Sequence, residues 1–217
     1  MTFDEVTRAA AHLANKAVGR AMDDMRHKYA YDEDDVTGVL VGRLHSEFEN
    51  SKFDGVSLKA SILRHRKGVA AEERRVGADL LMHVSMDTNT QSYSKGVLIQ
   101  SKKATATDYW SSDWRSELTR QCNTMLAHTP ASFVFSYSER GVRCGSATRV
   151  VGGLNNAPTS LSYLCEWTAY RFFLELFRCP IGDRNITSVR VEELPVPFAL
   201  QLGFEGTIDL DEGASRA

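Results

Sequence analysis

Three residues near the middle of the chain have the types and spacing to do chemistry together: Asp79, Gln100 and Lys102. A carboxylate, an amide oxygen and an ammonium brought to one point suit hydrolysis at phosphorus. A hard divalent cation takes oxygen ligands, usually one or two carboxylates, and leaves its other positions to water and phosphate. Such a cation acidifies its bound water and offsets the charge building on the phosphate. A neighbouring ammonium orients that water or neutralises the phosphate. The bland alternative is an Asp79–Lys102 salt bridge at a sheet edge.

For the three to meet, the chain must fold back on itself. Ala78 to Met86 (ADLLMHVSM) predicts a largely buried strand, and Val97 to Lys103 (VLIQSKK) predicts a second that begins apolar and ends charged. Asp87 to Gly96 predicts a polar hairpin connection. Antiparallel pairing then sets the start of the first strand beside the end of the second, which the 21-residue separation of Asp79 and Gln100 permits. The strand period of two aims Gln100 and Lys102 at one face and turns Ser101 to the other.

Around this pair the periodicity predicts a helix over residues 3–29 and a second through Val36, Val39, Leu40, Leu44 and Phe48, opened by the acidic run Asp32–Asp35. Carboxylates in a first helical turn are favoured by the helix dipole, which by itself accounts for that run. Val56 to Leu63 alternates as a strand, and Arg64 to Gly77 reads as a basic loop. Trp114, Leu118, Cys122, Met125 and Leu126 mark an amphipathic helix over 112–128, capped by Ser112 or Asp113. Ser132 to Ser138 alternates as a strand, Val142 to Val151 reads as another, and 160–179 as an aromatic helix, buried or paired with another subunit. A short strand is expected before Pro195 and Pro197, with a mobile tail after Gly203.

The middle of the chain therefore runs helix, strand, strand, strand, helix, strand. With GADLLMHVSM (77–86), GVLIQSKK (96–103) and the Glu72-Glu73 pair upstream, this order resembles the PD-(D/E)xK, or restriction-endonuclease-like, nuclease superfamily over about residues 33–137. The resemblance implies an α/β fold, an αβββαβ core with a mixed central sheet flanked by helices. It implies Asp79 and Gln100 as metal ligands, Lys102 as the catalytic lysine, and Mg2+ or Mn2+ as cofactor. Glu33, with Asp34 and Asp35 behind it, is the candidate acid that completes the site from the preceding helix; Glu72 or Glu73 is the alternative. The substrate implied is nucleic acid, DNA in preference to RNA. Double-strand cleavage by one site per chain would favour a homo-oligomer, and an activating partner protein is a further expectation. QCNTML (121–126) followed by SFVFSYS (132–138) is similar to nuclease-like proteins of bacterial anti-phage defence. Two positions depart from the commonest pattern: Gln100 stands where Glu or Asp is most frequent and brings no charge, and Ala78 replaces a Pro.

The remaining composition sets bounds. With 217 residues, the chain suits one domain, expected over 1–203, followed by an acidic tail over 204–217. The N-terminal segment does not read as a secretory signal, and no apolar stretch approaches the length of a membrane span, so a cytoplasmic protein with no membrane partner is expected. Cys122, Cys144, Cys165 and Cys179 are widely spaced and suit reduced, buried thiols. The net charge of −2 gives no global signal for nucleic acid, but Lys59 to Lys103 holds nine Lys/Arg against four Asp/Glu. Within it Arg64, Arg66, Lys67 and Lys103 are candidate phosphate contacts, with a solvated loop as the plain alternative. Tyr109, Trp110 and Trp114 could stack on bases, although Trp114 also suits helix packing. His83 reads as a satisfied core histidine. Two rival functions follow: a catalytically weak nucleic-acid-binding module on the same fold, and an interaction subunit acting through residues 160–179.

Overall fold

The computed structural model describes residues 1–49, 51–65, 75–104, 111–154, 160–187 and 194–210. In chain order the elements are α1 (Phe3–Arg26), α2 (Glu33–Glu49), β1 (Lys52–Phe53), β2 (Val56–His65), β3 (Leu80–Thr88) and β4 (Ser92–Lys103). They continue with α3 (Ser112–His128), β5 (Ser132–Ser138), β6 (Gly141–Ser146), α4 (Ala147–Leu154), α5 (Leu161–Leu164), β7 (Trp167–Thr168), α6 (Ala169–Phe177) and β8 (Phe198–Gly206). Among the described residues these strands form one mixed eight-stranded sheet, in the order β1-β2-β8-β3-β4-β5-β6-β7, with helices on both faces: an α/β fold. No described helix is long and apolar enough to cross a membrane.

Strand alternation divides the core in two. Leu80, Met82, Val97, Ile99, Phe133, Phe135 and Leu200 pack on one face with α1, α2 and α6. Leu81, Leu98, Val134 and Ala199 pack on the other with Leu118, Cys122 and Met125 of α3 and Val150 of α4. The small residues Ala10, Ala14, Ala17 and Ala21 are fully buried along α1. The aromatic segment also turns inward: Phe172, Phe173 and Phe177 of α6 have no solvent exposure and stack edge-on with Phe135 and Phe204. The aromatic residues of α6 are thus spent inside the core, while Tyr163 of the same 160–179 segment is exposed.

Of the expected helix–strand–strand–strand–helix–strand order, α2, β2, β3, β4, α3 and β5 follow one another in the chain, with the two-residue β1 added between α2 and β2. Its sheet neighbours carry a correction. β8 lies between β2 and β3, antiparallel to the first and parallel to the second. The strand therefore follows Pro195 and Pro197 rather than preceding them, and it runs through the boundary expected at Gly203. FALQLGF is the continuous apolar run of a strand covered on both faces. Beyond it the Asp209 carboxylate pairs with the Met1 ammonium at 2.6 Å and its amide donates to the Met1 carbonyl, so the chain is held in place as far as Asp209.

Four further expectations change. The 87–96 connection shrinks to Asn89–Gln91, because Ser92 to Gly96 pair in full register with β3. Lys95 is completely buried there, its ammonium donating to the Ile181 carbonyl at 2.6 Å, and burial lowers its pKa to about 8. Ser111, rather than Ser112 or Asp113, caps α3. The expected strand over 142–151 stops at Ser146, whose hydroxyl accepts from the Arg149 amide and opens α4. The 160–179 helix is interrupted where Trp167 and Thr168 pair with β6, and Thr168 caps α6.

His83 is a core histidine, 1% exposed, but only half satisfied: Nε2 lies 2.8 Å from the Ser94 hydroxyl and Nδ1 is buried without a hydrogen-bond partner. Desolvation lowers its pKa to about 4 from the ordinary 6.5. The folded state thus keeps the ring neutral where the unfolded chain protonates it. The associated stability is complete above pH 6.5 and is lost as the pH falls towards 4. Denaturant unfolding at pH 7.5 and pH 4.5 should show wild type losing about 2 to 3 kcal/mol more than His83→Gln. Equal losses in the two proteins would remove His83 from the acid response.

Candidate active site

The site grows from a length mismatch between two strands. β3 pairs with β4 from Leu80↔Ile99 onward, so β4 runs beyond the start of β3 through Gln100, Ser101, Lys102 and Lys103. On the β3 side, the backbone N–H groups of Ser101 and Lys103 have no strand opposite them. Two carboxylates fill the gap. The Asp79 Oδ2 accepts from the Ser101 amide at 2.8 Å, and the Glu33 Oε1 accepts from the Lys103 amide at 3.0 Å.

Each acid is delivered by local structure that the sequence specifies. Gly77 has φ +75° and lies tight against α3; a β-carbon there would sit 2.4 Å from the Gln121 carbonyl oxygen. Only glycine fits both the left-handed backbone and the close approach. The turn it makes leads Asp79 into the sheet, where the Asp79 amide donates to Ile99 and its carbonyl accepts from Phe198. Glu33 sits in the first turn of α2. Asp32 caps that helix, its carboxylate accepting from the Asp35 amide at 2.7 Å, and Asp35 in turn accepts from the Tyr31 amide. The acidic run is thus divided between capping and the site, with Glu33 as the member that reaches β4.

Gln100 and Lys102 share the face of Leu98, as their spacing requires. The Gln100 amide nitrogen donates to Asp79 Oδ2 at 2.7 Å and to the Ser101 carbonyl at 3.2 Å. Its Oε1 is buried without a hydrogen-bond partner. The Lys102 ammonium donates to Glu33 Oε2 at 3.1 Å. The cation of the site is therefore tied to Glu33, while Asp79 is tied to Gln100 and the backbone. Asp79, Gln100 and Lys102 are 3%, 1% and 8% exposed, whereas the Glu33 side chain is one-third exposed, so the cluster opens to solvent at its Glu33 end.

Among the described residues no three of His, Cys, Asp and Glu gather into a metal cluster. The available donors are two carboxylates and one amide oxygen. Lys103 is exposed, with its ammonium on the Tyr31 carbonyl at 2.8 Å. Arg64 lies near the end of β2. Arg66, Lys67, Glu72, Glu73, Tyr109 and Trp110 lie outside the described residues. Trp114 packs partly buried against the core under α3. The chain matches no family model, no curated protein and no solved structure.

Sequence reasoning missed the residues that hold the acids from behind. Ser101 was placed on the opposite face, and there its hydroxyl meets those of Thr37 and Tyr137. The available signal was a threonine one helical turn after Glu33, but nothing in the sequence pairs it with residues 64 and 100 positions away.

Gly77→Ala tests the turn that delivers Asp79. It should destabilise the protein by about 1 to 3 kcal/mol through backbone strain and the contact with α3. Chemical denaturation checks this; a change within about 0.5 kcal/mol, the range of neutral surface substitutions, would show that the turn tolerates a side chain.

Proposed function

We propose that the protein is a metal-dependent nuclease that hydrolyses phosphodiester bonds, with Asp79, Gln100, Glu33 and Lys102 as its site. The observation that carries this reading is the meeting, at one open strand end, of two carboxylates, a buried unpartnered amide oxygen and an ammonium. All the donors are hard oxygens, which fits Mg2+ or Mn2+. When bound, such an ion would supply an acidified water and charge compensation at phosphorus.

Asp79 and Gln100 are side by side and would hold the ion directly. Glu33 is anchored two residues further along β4, about 7 Å of strand. It would join them through a water while it keeps the Lys103 amide. The Gln100 amide now turns its nitrogen to Asp79; the ion would draw its oxygen instead, which also ends that oxygen's isolation. Lys102, held by Glu33, would place its ammonium beside the attacking water and the phosphate oxygens. Gln100 supplies no charge, so this chain holds its metal less tightly than a glutamate variant.

The αβββαβ chain order and the resemblance of residues 77–86 and 96–103 support the restriction-endonuclease-like reading, with β8 as an inserted central strand. DNA as substrate, an oligomeric or partner-activated enzyme, a cytoplasmic setting and a part in anti-phage defence rest on that resemblance. The second reading is a nucleic-acid-binding module with little catalysis. It is favoured by the Gln100 nitrogen already occupying Asp79.

Incubation with plasmid and single-stranded DNA should give cleavage in Mg2+ or Mn2+ and none in EDTA. Lys102→Ala and Asp79→Asn should each lower the rate about 100-fold or more, the scale seen when a group stabilising transition-state charge is removed. Gln100→Glu should tighten Mn2+ binding in calorimetry. Metal-dependent cleavage that survives both substitutions sinks the site, and DNA retention in a gel shift without cleavage in any metal selects the binding module.

A further inference from the structure

The hydroxyl groups of Thr37, Ser101 and Tyr137 close a triangle inside the apolar core, directly behind the two carboxylates. All three residues have zero solvent exposure. The Thr37 Oγ1 lies 3.1 Å from the Ser101 Oγ and 3.1 Å from the Tyr137 hydroxyl, and the last two are 2.9 Å apart. Burying hydroxyls costs free energy that their mutual hydrogen bonds only offset, and Val, Ala and Phe would fill the same space without that cost. Stability alone therefore does not account for the triangle. Its geometry does more, because hydrogen bonds are directional and fix the elements that carry them.

Those elements are α2, β4 and β5, two of which carry the proposed site. The Thr37 hydroxyl also lies 2.8 Å from the Glu33 carbonyl, one helical turn back. Ser101 turns its hydroxyl to Thr37 while its own amide holds Asp79. An unbroken hydrogen-bonded path thus runs from the Glu33 main chain through Thr37 and Ser101 to the Asp79 carboxylate. Burial, first, raises the Tyr137 phenol well above its ordinary pKa, so it stays a protonated donor at any working pH.

We infer that Thr37, Ser101 and Tyr137 are positioning residues that lock the first turn of α2 onto the end of β4, holding the Glu33 carboxylate on Lys103 and Lys102 at a set place relative to Asp79. The geometric part stands on the contacts themselves; the consequence for metal binding rests on the nuclease reading above.

The Lys103 amide reports directly on this lock, because Glu33 is its acceptor. Amide hydrogen exchange by NMR, on the metal-free full chain, compares wild type with Thr37→Val, Tyr137→Phe and Thr37→Ser. Tyr137→Phe keeps the ring that fills the core, so a folded variant is available even if Thr37→Val does not fold. In Thr37→Val or Tyr137→Phe the Lys103 amide should exchange about fivefold faster or more, as expected for loss of one net hydrogen bond. Amides of the β3–β4 and β3–β8 ladders should keep their protection, and Thr37→Ser should restore the Lys103 value. Mn2+ affinity should fall about tenfold or more in the same two variants, the usual cost of losing a group that orients a ligand. Unchanged Lys103 exchange, or a loss of protection spread evenly over the sheet, overturns the inference. So does wild-type Mn2+ affinity in a variant whose Lys103 amide has been freed. A wild-type protein that neither binds Mn2+ nor cleaves DNA sinks the nuclease reading instead, and the Lys103 amide still decides the positioning claim.

Discussion

A strand that outruns its neighbour leaves backbone N–H groups facing nothing, and a donor left unmet when buried costs on the order of 1 to 3 kcal/mol. β4 does this at its charged end, where β3 begins too late to pair with Ser101 and Lys103. Two side-chain carboxylates take the place of the missing strand, Asp79 from the turn before β3 and Glu33 from the start of α2. Bonds of this kind are charge-assisted and stronger than the neutral ladder bonds they replace. At Ser101, which is buried, the backbone demands such an acceptor and Asp79 supplies it, whereas at the exposed Lys103 the Glu33 carboxylate stands where water could also serve.

From that constraint the polarity of the cluster follows. Asp79 and Gln100 sit deep, where α3 covers the sheet, and Glu33 sits at the mouth where α2 begins. Lys102 lies between depth and mouth and is neutralised by Glu33 rather than left as a buried lone charge. The deep pair is the part best shielded from water, where an electrostatic interaction has most effect. The mouth is the part able to exchange partners with solvent or an incoming anion.

Gln100 makes this arrangement demanding. With two formal negative charges instead of three around the proposed ion, attraction at a distance is weaker, and more of the binding must come from donors already in place. The buried hydroxyls of Thr37, Ser101 and Tyr137, and the glycine turn at 77, supply that kind of preorganisation. Fold and site share these residues, so substitutions there should affect both.

The sequence determined what depends on neighbours along the chain. Alternation in VLIQSKK put Gln100 and Lys102 on one face and Ser101 on the other, because a strand repeats every two residues. The hairpin between 79 and 100 was short enough to bring their ends together, and the acidic run suited the first turn of a helix. It misjudged the ends of elements where other partners decide: the Ser146 hydroxyl takes the Arg149 amide and opens α4 where the strand was expected to run on, and Trp167 pairing with β6 breaks the aromatic helix. Tertiary structure alone decided that β8, more than a hundred residues from β2, lies between β2 and β3. It alone set the Glu33 carboxylate on the Lys103 amide and Thr37 against Ser101 and Tyr137. Asp79, Gln100 and Lys102, with which the reading began, were legible as a group from local periodicity. What holds them is not local, because a hydrogen bond across the sheet depends on distance in space, of which sequence separation carries no record.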